Sequence, residues 1–98
     1  MGRRAMALAT IPWDATEHLD DNNSIAAYLG EVMEMGDPAH IVHALNTVAR
    51  ARGMTQIAKD AGVGRQALYK SLGANGNPTL TTLIGVIKSL GLTLSVRA

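Results

Sequence analysis

Residues 55–72 decide the fold, and they read TQIAKDAGVGRQALYKSL. Two short helical patterns flank the turn Gly62-Val63-Gly64. Ala58 is small, as two closely crossing helices require, and Gly62 stands where such a turn needs a positive φ. Ile57 and Leu68, with Val63 of the turn, are placed to anchor both helices to a core. The combination predicts a helix-turn-helix.

The outward face of this motif carries side chains suited to nucleic acid. Thr55 is expected to cap the first helix, and Arg65–Leu72 to form the second, whose N-terminal end usually enters the major groove. We expect Arg65 and Gln66 to read bases, while Thr55, Gln56 and Lys70 hold phosphates. The predicted DNA-binding residues are Thr55, Gln56, Gly64, Arg65, Gln66, Tyr69 and Lys70.

Three longer helices are predicted around this motif. The first begins after the polar loop that ends at Asn23 and stops at Gly36, a residue suited to a left-handed helix end. Asp37-Pro38 then starts a helix that ends at Gly53. The last helix has Thr79 as its cap and Gly91 as its stop, with Leu80, Leu83, Ile84, Ile87 and Leu90 forming its apolar stripe. The predicted fold is therefore all-α, a five-helix repressor-like domain.

The two ends of the chain follow different patterns. Residues 1–23 form an N-terminal arm, in which Ala7–Ile11 fits either a short strand or irregular chain, and residues 24–91 form the helical domain. Residues 92–98 are predicted as a short C-terminal β-strand, because apolar and polar residues alternate from Leu92 to Val96. An exposed strand invites a partner, so we expect a homodimer that uses this segment, the arm or both.

The net charge of +1 conceals a segregation. Residues 1–49 hold two basic and seven acidic residues, whereas residues 50–98 hold seven basic residues and only Asp60 as an acid. Most of the basic residues fall between Arg50 and Lys70, on or beside the predicted motif. Such asymmetry indicates a polyanionic partner. Attraction between the two halves within the fold is the alternative explanation.

Several functional classes receive no support from the residues. Cysteine is absent, which fits a reducing cytoplasm and excludes a disulfide scaffold. No apolar run reaches the roughly 20 residues of a membrane span. His40 and His43 have a spacing that can ligate zinc, but no third ligand is suitably placed, so both are expected on the surface of a helix. No catalytic constellation is evident. We therefore expect a cytoplasmic protein that is not an enzyme and needs no cofactor or metal.

Specific segments of the chain resemble known families. Residues 54–63, MTQIAKDAGV, resemble the first half of a phage-repressor-like (Xre) helix-turn-helix. The chain from Ile25 to Val96 resembles the HigA-type antitoxins, or addiction-module antidote proteins. The segments that carry this resemblance are residues 25–29 (IAAYL), 36–39 (GDPA), 49–56 (ARARGMTQ), 67–72 (ALYKSL) and 76–80 (GNPTL), with residues 12–14 (PWD) and 18–19 (HL) at the entry. Gly64 departs from the pattern, because Ser or Thr usually caps the second helix there.

The resemblance implies an antitoxin that binds a RelE/HigB-like RNase toxin and, as a dimer, represses its own operon on double-stranded DNA. Two alternatives stay open at this point. One is a solitary phage-repressor-like regulator without a toxin partner. The other is a helical module that binds only protein.

Overall fold

The computed structural model describes residues 21–98, and within this range the chain is all-α, as predicted. Five helices follow one another: α1 (Asn22–Met35), α2 (Pro38–Arg52), α3 (Met54–Ala61), α4 (Arg65–Ser71) and α5 (Leu80–Ser89). Residues 1–20 of the predicted N-terminal arm, including Ala7–Ile11, lie outside the described residues. No helix within residues 21–98 is both long and apolar enough to cross a lipid bilayer.

Most of the predicted helix boundaries are confirmed by backbone geometry. Asp21 caps α1, because its Oδ1 accepts a hydrogen bond from the Ser24 amide at 2.8 Å, so the helix begins at Asn22 and not after the loop predicted to end at Asn23. Gly36 ends α1 in the left-handed conformation, with a φ of 74°. Pro38 is the first residue of α2. Thr79 caps α5 by accepting a hydrogen bond from the amide of Thr82. Local signals therefore set where these three longer helices begin and where α1 ends.

The start of α3 differs from the prediction. The helix begins at Met54 and its cap is Gly53, so Thr55 already lies inside the first turn and makes no capping hydrogen bond. Met54 is buried and belongs to the core. Burying this side chain favours a helix start two residues earlier than a Thr55 cap would give, because core burial outweighs the roughly 1 kcal/mol of a typical cap.

All five helices contribute to one apolar core, and no polar side chain is buried in the described residues. The α5 helix packs closely on α3. A Cβ added to Gly85 would lie 3.1 Å from the Ala61 Cβ and 3.2 Å from its carbonyl oxygen, so the two backbones approach closely there. Leu80 was predicted in the apolar stripe of α5 but is 70% exposed. Its neighbours Thr79 and Thr81 are also exposed, so the first turn of α5 extends beyond the core. The buried residues are Ile25, Leu29, Val32, Ala44, Leu45, Val48, Ala49, Met54, Ile57, Ala58, Leu68, Leu72, Val86, Ile87 and Leu90.

The predicted C-terminal strand is not confirmed. The structure assigns no strand within residues 21–98. Leu92 donates its amide hydrogen to the carbonyl of Ile87, but residues 93–98 make no backbone–backbone hydrogen bond in the described part. A strand needs a neighbouring strand, and alternation of side chains alone does not supply one. The segment instead follows α1, where Arg97 forms an ion pair with Glu34.

A groove lies between the C-terminal segment and α1. Its volume is about 720 Å³, and apolar side chains from both sides line it, among them Leu29, Met33, Leu94 and Val96. Val96 is 97% exposed and Leu94 is 41% exposed. The end of the chain therefore offers both unpaired backbone groups and apolar side chains to solvent.

Candidate nucleic-acid interface

The turn between α3 and α4 sets the angle at which the two helices meet. Gly62 has a φ of 76°, in the left-handed region that a side chain with a Cβ rarely adopts. Its amide donates to the Lys59 carbonyl at 3.2 Å, and the amide of Val63 donates to the carbonyl of Ala58 at 3.0 Å. The carbonyls of Ala58 and Lys59 are therefore satisfied within the turn, and the predicted conformation of Gly62 is confirmed.

Apolar anchors hold both helices against the rest of the protein. Ile57 and Ala58 of α3 are each 3% exposed, and Leu68 of α4 is fully buried. Val63 is half-buried and packs against the same core. These burials match the anchors expected from the sequence. The end of α4 has a polar tether as well, because the Asn46 Nδ2 of α2 donates to the Leu72 carbonyl at 2.9 Å.

All seven residues predicted to bind DNA are exposed. Five of them belong to α4 or to its cap, and two lie on the first turn of α3. Gly64 caps α4 with a φ of −67° and makes no side-chain hydrogen bond, so the missing hydroxyl at this position leaves the helix without a side-chain cap. The set comprises Thr55, Gln56, Gly64, Arg65, Gln66, Tyr69 and Lys70.

Two contacts within this surface were not part of the sequence interpretation. The Gln56 Nε2 donates to the Asp60 Oδ1 at 2.9 Å along α3. The Arg65 guanidinium carbon lies 5.4 Å from the centroid of the Tyr69 ring along α4. Both pairs are four residues apart, the spacing at which side chains meet on a helix, so this signal was present in the sequence. Gln56 and Arg65 each therefore contact a side chain one turn further along their own helix.

Most of the positive charge around α3 and α4 has no carboxylate partner. Arg97–Glu34 is the ion pair found in the described range 21–98, and it links the basic and acidic halves at the C-terminal segment. Attraction between the halves therefore explains that pair and the position of Arg52, whose charge acts on the Asp21 carboxylate, but not the other cations from Arg50 to Lys70. Within the cluster, Arg52 donates a hydrogen bond to the neutral Asn22 side chain at 2.6 Å. The remaining cations of α3 and α4 face solvent and are available to an anionic partner.

The two histidines lie apart from this surface. His40 and His43 are both exposed on α2. No group of three or more His, Cys, Asp or Glu side chains suited to a metal ion occurs among the residues that the structure describes. The expected placement of both histidines on a helix surface is confirmed.

Comparison with known proteins places the chain in a family. A family model described as "probable addiction module antidote protein" matches residues 9–98. A protein of Haemophilus influenzae named "Uncharacterized protein" is 44% identical over 85 residues, covering 87% of this chain and 88% of that protein. No solved structure matches the chain. With nearly its whole length matched, the chain belongs to the family of probable addiction-module antidote proteins.

Proposed function

We propose that this chain is the antitoxin of a type II toxin–antitoxin module and a sequence-specific DNA-binding repressor of its own operon. In this proposal it works in the cytoplasm by binding alone, without catalysis, a cofactor or a metal. Its toxin is a RelE/HigB-like RNase, and its DNA-binding unit is a phage-repressor-like helix-turn-helix of the HigA/Xre type formed by α3 and α4. Membership of the antidote family supports the antitoxin role.

One observation carries the DNA-binding part of the proposal. The exposed face of α4 combines Arg65, Gln66 and Lys70, while the opposite face is anchored by the buried Leu68. Arginine and glutamine make bidentate hydrogen bonds to guanine and adenine, and lysine contacts phosphate. The exposed face of α4 therefore carries donors suited to bases and phosphates, while its other face is fixed to the core.

The test of base reading compares two duplexes. The DNA upstream of the gene and a random duplex of equal length are titrated by fluorescence anisotropy at fixed salt. We expect Gln66→Ala to weaken binding to the upstream site by about 1–3 kcal/mol and to leave random DNA little affected. Asn23→Ala, an exposed amide on α1, is the matched control. Equal losses of Gln66→Ala on both duplexes would remove Gln66 from base reading.

Phosphate contact is tested by salt. Each neutralised phosphate steepens the fall of log affinity with log salt by about 0.9. Lys70→Gln removes one phosphate contact per copy, so it is expected to reduce the slope by about 0.9 for each copy bound. Lys88→Gln, in the last turn of α5, is the control. A flat salt response of the unmodified protein would rule out the electrostatic mode and favour a module that binds only protein.

The toxin part is tested by co-expression. The protein and the product of the neighbouring gene are produced together, and only one carries a purification tag. Co-purification at moderate salt, with recovery of growth relative to the neighbour alone, is the expected result. If no neighbouring gene encodes a small toxic protein, or if none co-purifies, the solitary phage-repressor-like regulator becomes the better explanation.

The proposal includes a homodimer, since a seven-residue recognition helix reads few base pairs and a dimer pairs two half-sites about 34 Å apart. Exposure of Leu94 and Val96 beside the groove supports the C-terminal segment as part of the interface. Replacing both residues with serine leaves Leu92, which packs against the core, in place. We expect the unmodified chain to sediment as a dimer and the double variant as a monomer. A monomeric unmodified chain at high micromolar concentration would refute this interface.

A further inference from the structure

Arg65 and Tyr69 form a contact that singles them out on α4. The guanidinium carbon of Arg65 lies 5.4 Å from the centroid of the tyrosine ring, within the range of a cation–π interaction. The Arg65 Nη2 is 3.5 Å from the tyrosine hydroxyl oxygen, at the outer limit of a hydrogen bond. The ring face therefore contributes more than the hydroxyl to holding the guanidinium.

The support beneath this pair is rigid. One turn of α4 separates the two residues, and Leu68, next to Tyr69 in the chain, is fully buried. At the end of α4, the carbonyl of Leu72 accepts the hydrogen bond from Asn46. The Tyr69 ring is 40% exposed, so it is large, apolar and partly open to solvent without being part of the core. One part of the ring is therefore open both to the Arg65 guanidinium and to a ligand.

Orientation matters for an arginine that reads DNA. The side chain has many rotamers, and bidentate binding to the O6 and N7 atoms of guanine fixes both its position and its plane. Contact with a ring removes part of this freedom before binding. Recognition is then stronger, because less side-chain entropy is lost when the complex forms. We propose that Tyr69 is a positioning residue that holds the Arg65 guanidinium for bidentate recognition of a guanine in the major groove. This inference rests on the proposed DNA-binding function.

The experiment uses the full chain and the duplex that it binds best in a selection from random sequences. Each guanine of that duplex is replaced in turn by 7-deazaguanine, which lacks the N7 acceptor. We expect one guanine in each half-site at which the replacement weakens binding by about 5- to 150-fold. Arg65→Ala should abolish this discrimination. The absence of any guanine whose effect depends on Arg65 would overturn the inference.

Variants of Tyr69 then separate the ring from the hydroxyl. Tyr69→Phe keeps the ring face and is expected to keep the discrimination at that guanine. Tyr69→Leu removes the ring and should reduce the discrimination by about two- to fivefold, the strength of an exposed cation–π contact. When Arg65 is already alanine, Tyr69→Leu should have no further effect on it. Circular dichroism and thermal unfolding check that each variant folds as the unmodified protein does.

The outcomes distinguish this inference from the proposed function. Tyr69→Leu could weaken binding to all duplexes equally, or Tyr69→Phe could lose as much discrimination as Tyr69→Leu. Either result would mean that the tyrosine hydroxyl contacts the DNA phosphate backbone and that the positioning role is wrong. DNA binding as such would survive that result. If the unmodified chain selects no duplex at all, the proposed DNA-binding function fails, and the positioning role fails with it.

Discussion

Replacing Gly85 with alanine tests how closely α5 approaches the candidate interface. The new Cβ would meet the Cβ, Cα and carbonyl oxygen of Ala61 at 3.1–3.2 Å. Favourable carbon contacts lie at about 3.5–4.0 Å, so the helices must separate by a few tenths of an ångström. None of these three atoms moves by rotation of a side-chain bond. Because Ala61 precedes the Gly62 turn, the displacement would reach the junction of α3 and α4.

The magnitude follows from two opposing terms. Glycine within a helix is less favourable than alanine by about 1 kcal/mol, which the substitution recovers. Overpacking of a tight core contact costs about 1–3 kcal/mol. The net expectation for Gly85→Ala is a loss of about 1 kcal/mol in the free energy of unfolding. For a domain of this size that corresponds to a fall in Tm of about 4–8 °C.

A second glycine provides the matched control. Gly30 also lies within a helix, in the middle of α1, but a Cβ there would meet nothing within 4 Å. Gly30→Ala should therefore raise the free energy of unfolding by about 1 kcal/mol. Urea unfolding followed by circular dichroism should shift the two midpoints in opposite directions with an unchanged m-value. If Gly85→Ala raises the midpoint as much as Gly30→Ala does, the close approach of α5 to α3 is wrong.

Three further expectations concern the core, a helix cap and the charge of α3. Leu68→Ala removes a fully buried side chain and should cost about 2–5 kcal/mol in urea unfolding, whereas Leu80→Ala, at a residue that is 70% exposed, should change stability by less than about 0.5 kcal/mol; similar effects would contradict the assigned burial. The hydrogen bond from the Ser24 amide lowers the pKa of Asp21 below its usual 3.8, so this carboxylate stabilises the fold above that pH and loses its contribution as the pH falls through its lowered pKa. Asp21→Asn should therefore weaken the fall of Tm with decreasing pH below about 3.8. If Tm falls with pH in the variant as it does in the unmodified protein, the assigned cap is wrong. Asp60→Asn keeps an acceptor for the Gln56 side chain but removes a negative charge beside the candidate interface. Affinity for any duplex should therefore rise by about two- to fivefold at low salt and by less at high salt. An unchanged or lower affinity would place Asp60 far from the phosphates.

Local sequence signals predicted the helical elements well, because their physics involves neighbouring residues. Gly36 and Gly62 adopt the left-handed conformation expected of them, and Thr79 caps α5 as its hydroxyl indicated. The failures fall where distant parts of the chain decide. The start of α3 moved to Met54 because that side chain joins the core, which the first-turn pattern alone does not reveal.

The C-terminal segment and the candidate interface illustrate the same limit. Alternation between Leu92 and Val96 predicted a strand, yet a strand forms only when a second segment of extended chain pairs with it. The pattern of one segment does not reveal whether such a partner exists. Exposure of the predicted DNA-binding residues followed from the face of each helix, as expected. The contact of Gly85 with Ala61 was not predictable, because the residues are far apart in the chain and only the packing of α5 on α3 brings them together.

The hydrogen bond from Asn46 to the Leu72 carbonyl has a consequence for how the protein responds to heat. A seven-residue helix is too short to persist by itself, so α4 exists only while α2 and the core hold its end and its buried face. No separate opening of this helix is then expected below the free energy of global unfolding, and the amide hydrogens of Leu68 and Leu72 should exchange with solvent only when the whole domain unfolds. The proposed recognition of DNA would then disappear at the same temperature as the fold, in a single cooperative step. A rise in temperature would consequently abolish the proposed DNA binding abruptly, at the unfolding transition, and not gradually.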